Sequence, residues 1–396
     1  MLSIHASPLG ALGTRDTGGM SVYLRHLSRW LGAAGHRVDV FTCAGPPAPP
    51  QALAPRVRLV HIGRGALSGM AKERLPGHVA EIFAALEAFR AENGLRYDLI
   101  HSHYWISAAV GALARDRWRR PHLVMFHTLG AAKNTPGSGE NESALRVAAE
   151  RRLAAAADGI VVPSRAELAH LTGLYAVPRE KIHTVPCGVD LALFQPRGRE
   201  VGRDRLGLPA EEEMVLFVGR LVPLKGLANL IRAVALLRPQ RPRLGLRVIG
   251  GDDPRGPSAL IHLTRTLGIA DAVHFAGPID QAELPFYYSA ADLLALPSYY
   301  ESFGLVVLEA LACGTPVAAT AVGVVPDVIR EGHNGVLLEG PAPEDIARGL
   351  ARLLRMRRSP VEEAHIRSSV ADYDWRAITA EIEKIYQGEM NRESTR

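Results

Sequence analysis

The stretch that decides the fold reads Asp292-Leu-Leu-Ala-Leu-Pro-Ser-Tyr-Tyr-Glu301-Ser-Phe-Gly-Leu-Val-Val-Leu-Glu309-Ala-Leu-Ala-Cys-Gly-Thr-Pro316. The apolar run 292–298 predicts a strand, and residues 304–313 predict a helix that ends at a glycine. Glu301 then lies in the loop at the carboxyl end of the strand, and Glu309 lies on the helix. Units of this kind build parallel sheets covered by helices, so the stretch predicts an α/β fold.

The same alternation of short apolar runs and amphipathic segments extends along the whole chain in two series. The segment 44–55 holds five prolines and is predicted to be a loop. We predict strands at 2–6, 37–42, 57–62, 98–103, 122–127, 159–163 and 182–186, then at 214–218, 244–249, 273–276, 292–296, 316–320 and 335–338. We predict helices at 19–33, 77–92, 105–117, 141–156 and 164–172, then at 225–237, 257–267, 281–289, 304–313, 324–330 and 343–356.

The two series are similar in size, and a stretch rich in Gly, Pro and charge separates them. We therefore predict two Rossmann-like domains, 1–195 and 196–374, which face each other across a cleft. Residues 375–386 carry apolar side chains at helical spacing and predict a terminal helix. Residues 388–396 are polar and are predicted to fray.

The composition is that of a globular protein, with 396 residues of which 47% are hydrophobic and 22% are charged. The formal charge of +5 is spread along the chain, which argues against nucleic acid as a partner. No apolar run approaches the roughly 20 residues of a membrane span. A strand begins at Leu2, so we predict a cytoplasmic protein without a signal peptide or stable membrane insertion. The three distant cysteines predict no disulfide or zinc site, and the sequence leaves a homodimer open.

The residues around Glu301 predict a site for a diphosphate. The helix after Gly304 offers unpaired N–H groups, and Glu301 and Glu309 can accept hydrogen bonds from hydroxyls on either side of an anion. Arg220 follows a strand of the same half, and Lys225 lies five residues on, so two cations can neutralise a leaving group. A ligand that carries hydroxyls on both sides of a diphosphate is a nucleotide sugar. With these cations present, we predict no cofactor and no required metal.

Polar residues also follow predicted strands in the first half. Gly19 opens a helix after the first strand and forms a second candidate anion-binding turn. We interpret His101 and His103 as pointing to opposite sides of their strand, one buried and one facing the cleft, rather than as a metal pair. His127 and Thr128 follow four apolar residues, a pattern typical of a strand that ends at a site.

Several motifs together make the chain resemble a known family. They are Gly18-Gly-Met-Ser-Val-Tyr23, His101-Ser-His-Tyr-Trp105, His127-Thr-Leu129, Pro186-Cys-Gly-Val-Asp-Leu-Ala-Leu-Phe-Gln-Pro196, Gly219-Arg-Leu-Val-Pro-Leu-Lys-Gly226 and the segment from Glu301 to Glu309. The chain resembles the GT4 family of retaining glycosyltransferases, with the GT-B architecture, from Ser7 to about Leu338. Within the family it is most similar to the D-inositol 3-phosphate glycosyltransferases of mycothiol synthesis and to the sucrose-phosphate synthases.

The resemblance implies transfer of a hexosyl group, glucose or N-acetylglucosamine, from a UDP-linked sugar to a phosphorylated polyol such as inositol 3-phosphate. It also implies a terminal helix, 375–390, that crosses back to the first domain. By the resemblance, Glu301 contacts the donor sugar, Glu309 contacts the ribose, and His127 lies beside the reacting carbon. The implied catalytic residues are His127, Glu301, Arg220 and Lys225. The implied donor-binding residues are Gly19, Arg220, Lys225, Glu301, Phe303, Gly304, Leu305 and Glu309. The residues implied to bind the acceptor phosphate are Lys72, Tyr104, Thr128 and Arg146.

Ser21 marks a departure from the inositol-phosphate branch, which has Asn at that position against the cyclitol. The shorter hydroxyl lacks the two-headed hydrogen bonding of an amide, so fructose 6-phosphate stays an alternative acceptor. A nucleotide-sugar epimerase of the same architecture is an alternative of another class. A dinucleotide-dependent oxidoreductase would show G-x-G-x-x-G after the first strand, and the chain does not. A non-catalytic sugar-binding protein would not need Arg220 and Lys225.

Overall fold

Both predicted series are present in the structure, a computed structural model that describes residues 1–10, 18–134, 139–251, 257–356 and 359–394. The strands of the first series are β1 (Val38–Thr42), β2 (Gln51–Ala54), β3 (Val57–His61), β4 (Ile100–His103), β5 (His122–Met125), β6 (Gly159–Val162) and β7 (Ile182–Thr184). The helices of this series are α1 (Gly19–Ala33), α2 (Val79–Glu92), α3 (Trp105–Trp118), α4 (Gly130–Lys133), α5 (Ala144–Ala156) and α6 (Arg165–Tyr175).

The second series begins with helix α7 (Arg199–Leu206). Its strands are β8 (Glu213–Val218), β9 (Leu244–Ile249), β10 (Val273–Gly277), β11 (Leu293–Leu296), β12 (Val317–Thr320) and β13 (Gly335–Leu338). Its further helices are α8 (Leu227–Leu237), α9 (Ser258–Thr266), α10 (Leu284–Ala290), α11 (Leu305–Ala312), α12 (Val325–Val328), α13 (Pro343–Leu353), α14 (Pro360–Ser368) and α15 (Trp375–Ser394).

The first-half sheet is joined in its middle by a residue near the start of the chain. Leu2 forms parallel bridges to both Phe41 of β1 and Ser102 of β4. It thereby connects the strand order β2-β3-β1 to the order β4-β5-β6-β7. The longer strand predicted there was wrong, because the chain turns directly after this bridge, where Ser3 Oγ donates to Ala6 O at 2.7 Å.

The second-half sheet is wholly parallel, with the order β10-β9-β8-β11-β12-β13. The chain builds outward from β8 to β10 on one side and from β11 to β13 on the other, so the order reverses between β8 and β11. In open parallel sheets, ligands bind beyond the carboxyl ends of the strands at such a reversal. Arg220 follows β8 and Glu301 follows β11, so the topology brings both to this point.

The terminal helix α15 crosses back to the first domain, as the resemblance implies. The Trp375 indole stacks on the His26 ring of α1, with 5.2 Å between centroids and 5° between planes. The Tyr386 hydroxyl lies 2.7 Å from His101 Nδ1 in β4. Gly188 leaves room for this packing, because a Cβ there would lie 2.5 Å from Trp375 Cδ2. The structure is therefore a GT-B fold, with two Rossmann-like sheets and a returning helix.

Some predicted elements were wrong. β2 lies inside the proline-rich segment 44–55, because its residues contain none of those prolines and pair antiparallel with β3. α4, α7 and α14 were not predicted, although α14 begins with a capping box of Ser359 and Glu362 that is visible in the sequence. α15 continues to Ser394 instead of fraying from residue 388. No helix in the described part of the chain has the length and apolar character that crossing a membrane requires.

Candidate active site

Two helix N-termini meet across the cleft. α11 begins after Gly304, which has a φ of +97°, and α1 begins after Gly18. Among the described residues, no side chain caps either helix, so the backbone N–H groups of Gly19 and Met20 and those of Leu305 and Val306 remain available to an anion, whereas those of Ser21 and Val307 donate to Gly18 O and Gly304 O. A Cβ on Gly19 would lie 3.4 Å from Leu305 Cδ1, which places the two ends against each other. Thr17, which precedes Gly18 in the sequence, lies outside the described residues.

Lys225 and Glu301 form an ion pair at the strand reversal. Lys225 Nζ lies 2.5 Å from Glu301 Oε1, and the two side chains are 15% and 11% exposed. The predicted helix 225–237 would begin at Lys225, whereas in the structure Lys225 ends a short 3₁₀ turn that precedes α8. The next residue, Gly226, has a φ of +70°, and a Cβ there would lie 2.2 Å from Pro297 O. Only glycine fits this close approach, which holds the lysine at the end of β11.

Arg220 lies on the other side of the reversal, half-buried and directly after Gly219. Gly250 at the end of β9 packs on this backbone with a φ of +134°, and a Cβ there would lie 1.9 Å from Gly219 O. The loop that follows β9, residues 250–257, thus packs through its first glycine on Gly219, the residue before Arg220. Its central residues, 252–256, lie outside the described residues.

Glu309 and Phe303 are more deeply buried than binding residues usually are. Glu309 is 7% exposed, Tyr288 donates to its Oε2 at 2.7 Å, and burial raises its pKa to about 7. Phe303 is 5% exposed and belongs to the apolar core, while its carbonyl accepts from Val324 N at 2.7 Å. The side chain of Phe303 therefore anchors the loop. The ligand contacts implied for both residues stay predictions.

The four residues implied to bind a phosphate lie together, and we call them the phosphate cluster: Lys72, Tyr104, Thr128 and Arg146. Lys72 Nζ lies 4.5 Å from the centroid of the Tyr104 ring, and Arg146 Cζ lies 5.0 Å from it. Arg146 Nη2 donates to Thr128 O at 2.9 Å and to Thr128 Oγ1 at 3.0 Å. Lys72 and Arg146, which are 74 positions apart in the chain, thus lie close to two residues that carry hydroxyls, Tyr104 and Thr128. Two cations and two hydroxyls form a set of hydrogen-bond donors suited to a phosphate.

The backbone beside the phosphate cluster is strained. Tyr104 follows β4 with a φ of +76°, and His127, two residues after β5, has a φ of +60°. Residues other than glycine rarely adopt a positive φ, and such backbone strain is found most often at functional sites. The strain marks the ends of β4 and β5 as the first-domain side of the site.

Two carboxylates fix the Arg146 guanidinium. Glu142 Oε1 lies 2.6 Å from Nη1, and Glu150 Oε1 lies 2.7 Å from Nε. Glu150 is fully buried and also accepts from Gly130 N at 2.9 Å and from the Tyr175 hydroxyl. Glu150, four residues after Arg146, lies on its face of α5, and Glu142, four residues before it, lies directly ahead of the helix cap Ser143. This spacing is a sequence signal for a held arginine that the prediction did not use.

A layer of histidines lies beside the phosphate cluster. His127 Nε2 is 2.9 Å from His103 Nδ1, and burial lowers the pKa of His127 to about 3, so the ring is neutral near pH 7. The prediction for His101 and His103 was wrong: both are buried, with ring centroids 4.2 Å apart. Residues two apart on a strand share a face. Among the described residues, no group of three or more His, Cys, Asp or Glu side chains is placed to hold a metal ion.

Ser21 lies in the first turn of α1 and is fully buried. Its hydroxyl has no hydrogen-bond partner within the described ranges. A buried hydroxyl without a partner costs free energy. The acceptor contact implied for Ser21 stays a prediction.

Residues that the sequence did not single out join the two domains at the loop of Glu301. We call residues 299–304 the donor loop. Ser164 Oγ donates to Ser302 O at 3.1 Å, and Ser302 Oγ donates to Glu167. Leu129 N, next to the phosphate cluster, donates to the Tyr300 hydroxyl at 3.2 Å. The two sides of the cleft therefore meet at the donor loop.

The arrangement separates two anion sites across one cleft. On the second-domain side, the first turn of α11, Arg220 and Lys225 suit a diphosphate, and Glu301 beside them can accept hydrogen bonds from hydroxyls. On the first-domain side, the phosphate cluster suits a second phosphate, next to the neutral His127. Such a site can hold an activated, charged donor opposite a phosphorylated acceptor.

Comparisons with known proteins bear on the family and the fold of this chain. The model of the Glycosyltransferase Family 4 matches residues 17–193, and the model of the Glycosyl transferases group 1 matches residues 198–372. A D-inositol 3-phosphate glycosyltransferase 2 of Catenulispora acidiphila is 40% identical over 98% of the chain and 93% of its own length. A D-inositol 3-phosphate glycosyltransferase of Actinosynnema mirum is 42% identical over 89% and 88%.

Among solved structures, the sucrose-phosphate synthase of Thermosynechococcus elongatus has a TM-score of 0.87 and 33% identity, over 98% of this chain and 97% of that one. WaaG, a glycosyltransferase of lipopolysaccharide biosynthesis, has a TM-score of 0.69 at 20% identity, which bears on the fold alone.

Proposed function

This chain belongs to the GT4 family of glycosyltransferases, and we propose that it transfers N-acetylglucosamine or glucose from a UDP-linked sugar to inositol 3-phosphate. The observation that carries the proposal is the phosphate cluster, in which Lys72 and Arg146 converge on Tyr104 and Thr128. Relatives at about 40% identity over nearly the whole chain are named as D-inositol 3-phosphate glycosyltransferases, which supports inositol phosphate as the acceptor.

In the proposed reaction, the bond from the anomeric carbon to the diphosphate oxygen breaks, and a bond to the acceptor hydroxyl oxygen forms on the same face of the sugar. Arg220, Lys225 and the first turn of α11 stabilise the charge that develops on the diphosphate. The departing phosphate oxygen takes the proton of the acceptor hydroxyl. His127 stays neutral and contributes position rather than charge, because its pKa lies near 3. Lys225 also holds Glu301 against the sugar hydroxyls.

A second candidate is transfer of glucose to fructose 6-phosphate. Two observations favour it: the similarity to a sucrose-phosphate synthase structure, and Ser21 in place of the Asn of the inositol-phosphate branch. Both acceptors carry a phosphate, so the phosphate cluster suits either. The higher identity to the inositol-phosphate relatives, 40% against 33%, places inositol phosphate first.

The test is a matrix of donors and acceptors. Purified protein is incubated with UDP-N-acetylglucosamine or UDP-glucose and with D-inositol 3-phosphate, unphosphorylated inositol or fructose 6-phosphate, and released UDP and product mass are measured. The proposal expects a glycosylated inositol phosphate and at most a trace of product from unphosphorylated inositol. Product only from fructose 6-phosphate would favour the second candidate, and a sugar epimer without released UDP would refute both. The cytoplasmic location, the lack of a metal requirement and the homodimer stay predictions.

A further inference from the structure

Glu167 is a buried carboxylate that the proposed reaction does not use. It lies in the first turn of α6, is 1% exposed, and follows Ser164 in the pattern of a capping box. Ser164 Oγ accepts from Glu167 N at 3.2 Å, which completes half of the box. The other half is missing, because one carboxylate oxygen accepts from Ser302 and the other has no partner among the described residues. In the same chain, Ser359 and Glu362 form the whole box.

The bonds to Ser302 hold the donor loop at the residue next to Glu301. Ser164 donates to the carbonyl of Ser302, and Glu167 accepts from its hydroxyl. On the other side of Glu301, the Tyr300 hydroxyl accepts from the first domain and its ring is 5% exposed. Glu301 is thus flanked by two residues that α6 and the end of β5 hold in place. Its carboxylate itself is bonded to Lys225 and to the Ser298 hydroxyl, which donates to Oε1 at 3.0 Å.

We propose that Glu167 is a positioning residue for the transfer reaction, which acts through Ser302 to hold Glu301 against the donor sugar while the cleft is closed. The proposal rests on the proposed function, which assigns the donor sugar to Glu301. A loop carried by the second domain is thereby oriented by a carboxylate of the first domain.

The protonation of Glu167 is expected to modulate this link. Burial raises its pKa to about 7, with the Ser302 hydrogen bond opposing and Glu150 of α5 adding to the shift. The other ionisable groups that face it are Tyr300 of the donor loop and Cys187 after β7. The ionised carboxylate accepts the stronger hydrogen bond. The link is therefore strongest above about pH 7 and weakens as the pH falls through that value.

The experiment compares E167Q, S302A and S302T with E180Q, a control that removes an exposed carboxylate. Hydrogen–deuterium exchange is measured on the substrate-free proteins, and the dissociation constant of UDP-N-acetylglucosamine is measured by calorimetry from pH 6 to 8.5. S302A is expected to speed exchange within the donor loop and to weaken donor binding about tenfold at pH 8. S302T keeps the hydroxyl and restores most of the affinity, and E180Q matches the wild type.

E167Q keeps an acceptor for Ser302 but removes the charge. In E167Q, the affinity for UDP-N-acetylglucosamine is expected to lose the part of its pH dependence that Glu167 contributes. Glu309, whose pKa is also about 7, is present in both proteins, so its effect cancels in the comparison. Unchanged loop exchange and unchanged affinity in folded S302A would overturn the proposal, as would a wild-type pH profile in E167Q. If the wild type does not bind UDP-N-acetylglucosamine, the donor assignment fails, and loop exchange in S302A still decides whether the link positions the loop.

Discussion

Replacing Lys72 with Ala is expected to weaken binding of the phosphorylated acceptor and to leave the donor unaffected. Lys72 Nζ lies over the Tyr104 ring and forms no ion pair among the described residues, whereas Arg146 is held by two carboxylates. The charge of Lys72 is therefore available to a ligand. A hydrogen bond between charged groups contributes about 1.5–3 kcal/mol, which corresponds to a rise of roughly 10- to 100-fold in the KM for D-inositol 3-phosphate.

The stability of the K72A variant should change little, because a partly exposed cation–π contact contributes only about 0.5–1 kcal/mol. The assay varies D-inositol 3-phosphate at saturating UDP-N-acetylglucosamine, then reverses the two, and follows released UDP. K384A is the matched control, since Lys384 is 69% exposed on α15 and pairs only with an exposed neighbour, Glu381, in the described structure. An unchanged acceptor KM, or a rise confined to the KM of the nucleotide sugar, would refute the assignment of Lys72.

Three further predictions concern the second domain. K225A is expected to lower kcat by about 10²–10³-fold with a nearly unchanged acceptor KM, and single-turnover rates equal to wild type would contradict its role. G226A places a Cβ 2.2 Å from Pro297 O at a φ of +70°, so urea denaturation should show a loss of at least about 2 kcal/mol, and equal midpoints would count against the close approach. Glu309, with a pKa raised from 4.5 to about 7, keeps a proton that the unfolded chain releases, so its own contribution to stability declines from about pH 4.5 to 7. E309Q lacks this contribution, so between pH 5 and pH 8 the free energy of unfolding of the wild type should fall by roughly 2.5 kcal/mol relative to that of E309Q, and an identical pH dependence of the two proteins would contradict the shift.

A helix or strand could be predicted wherever its apolar pattern and the residues that typically begin or end such an element indicate the same bounds. α1 was predicted with its observed ends, because a glycine pair precedes it and its apolar residues recur at helical spacing. β2 was missed because four residues without strong strand preference acquire their structure only by pairing with β3. This pairing is a tertiary effect that local propensity does not contain.

Some residues of the candidate site could likewise be located from the sequence, and others could not. Glu301, Lys225 and Arg220 could be located from the sequence, because each follows a strand of one parallel sheet and such ends meet at one edge. Lys72 and Arg146 could not be joined by any pattern, since one lies outside the regular helices and strands and the other lies on α5. Only the resemblance to a family implied that they act together. Glu167 was missed because its sequence context describes a local cap, while its partner lies 135 residues away in the other domain.

The geometry also connects the phosphate cluster with the donor loop. Thr128, which accepts two bonds from Arg146, is followed directly by Leu129, whose N–H binds the Tyr300 hydroxyl. Tyr300 in turn precedes Glu301. A phosphate bound at Thr128 and Arg146 is therefore expected to fix the peptide that holds one end of the donor loop, while α6 holds the other end through Ser302. Because these contacts cross the cleft, we expect them to break when the two domains separate, so that domain closure would hold the donor loop in the orientation that transfer requires.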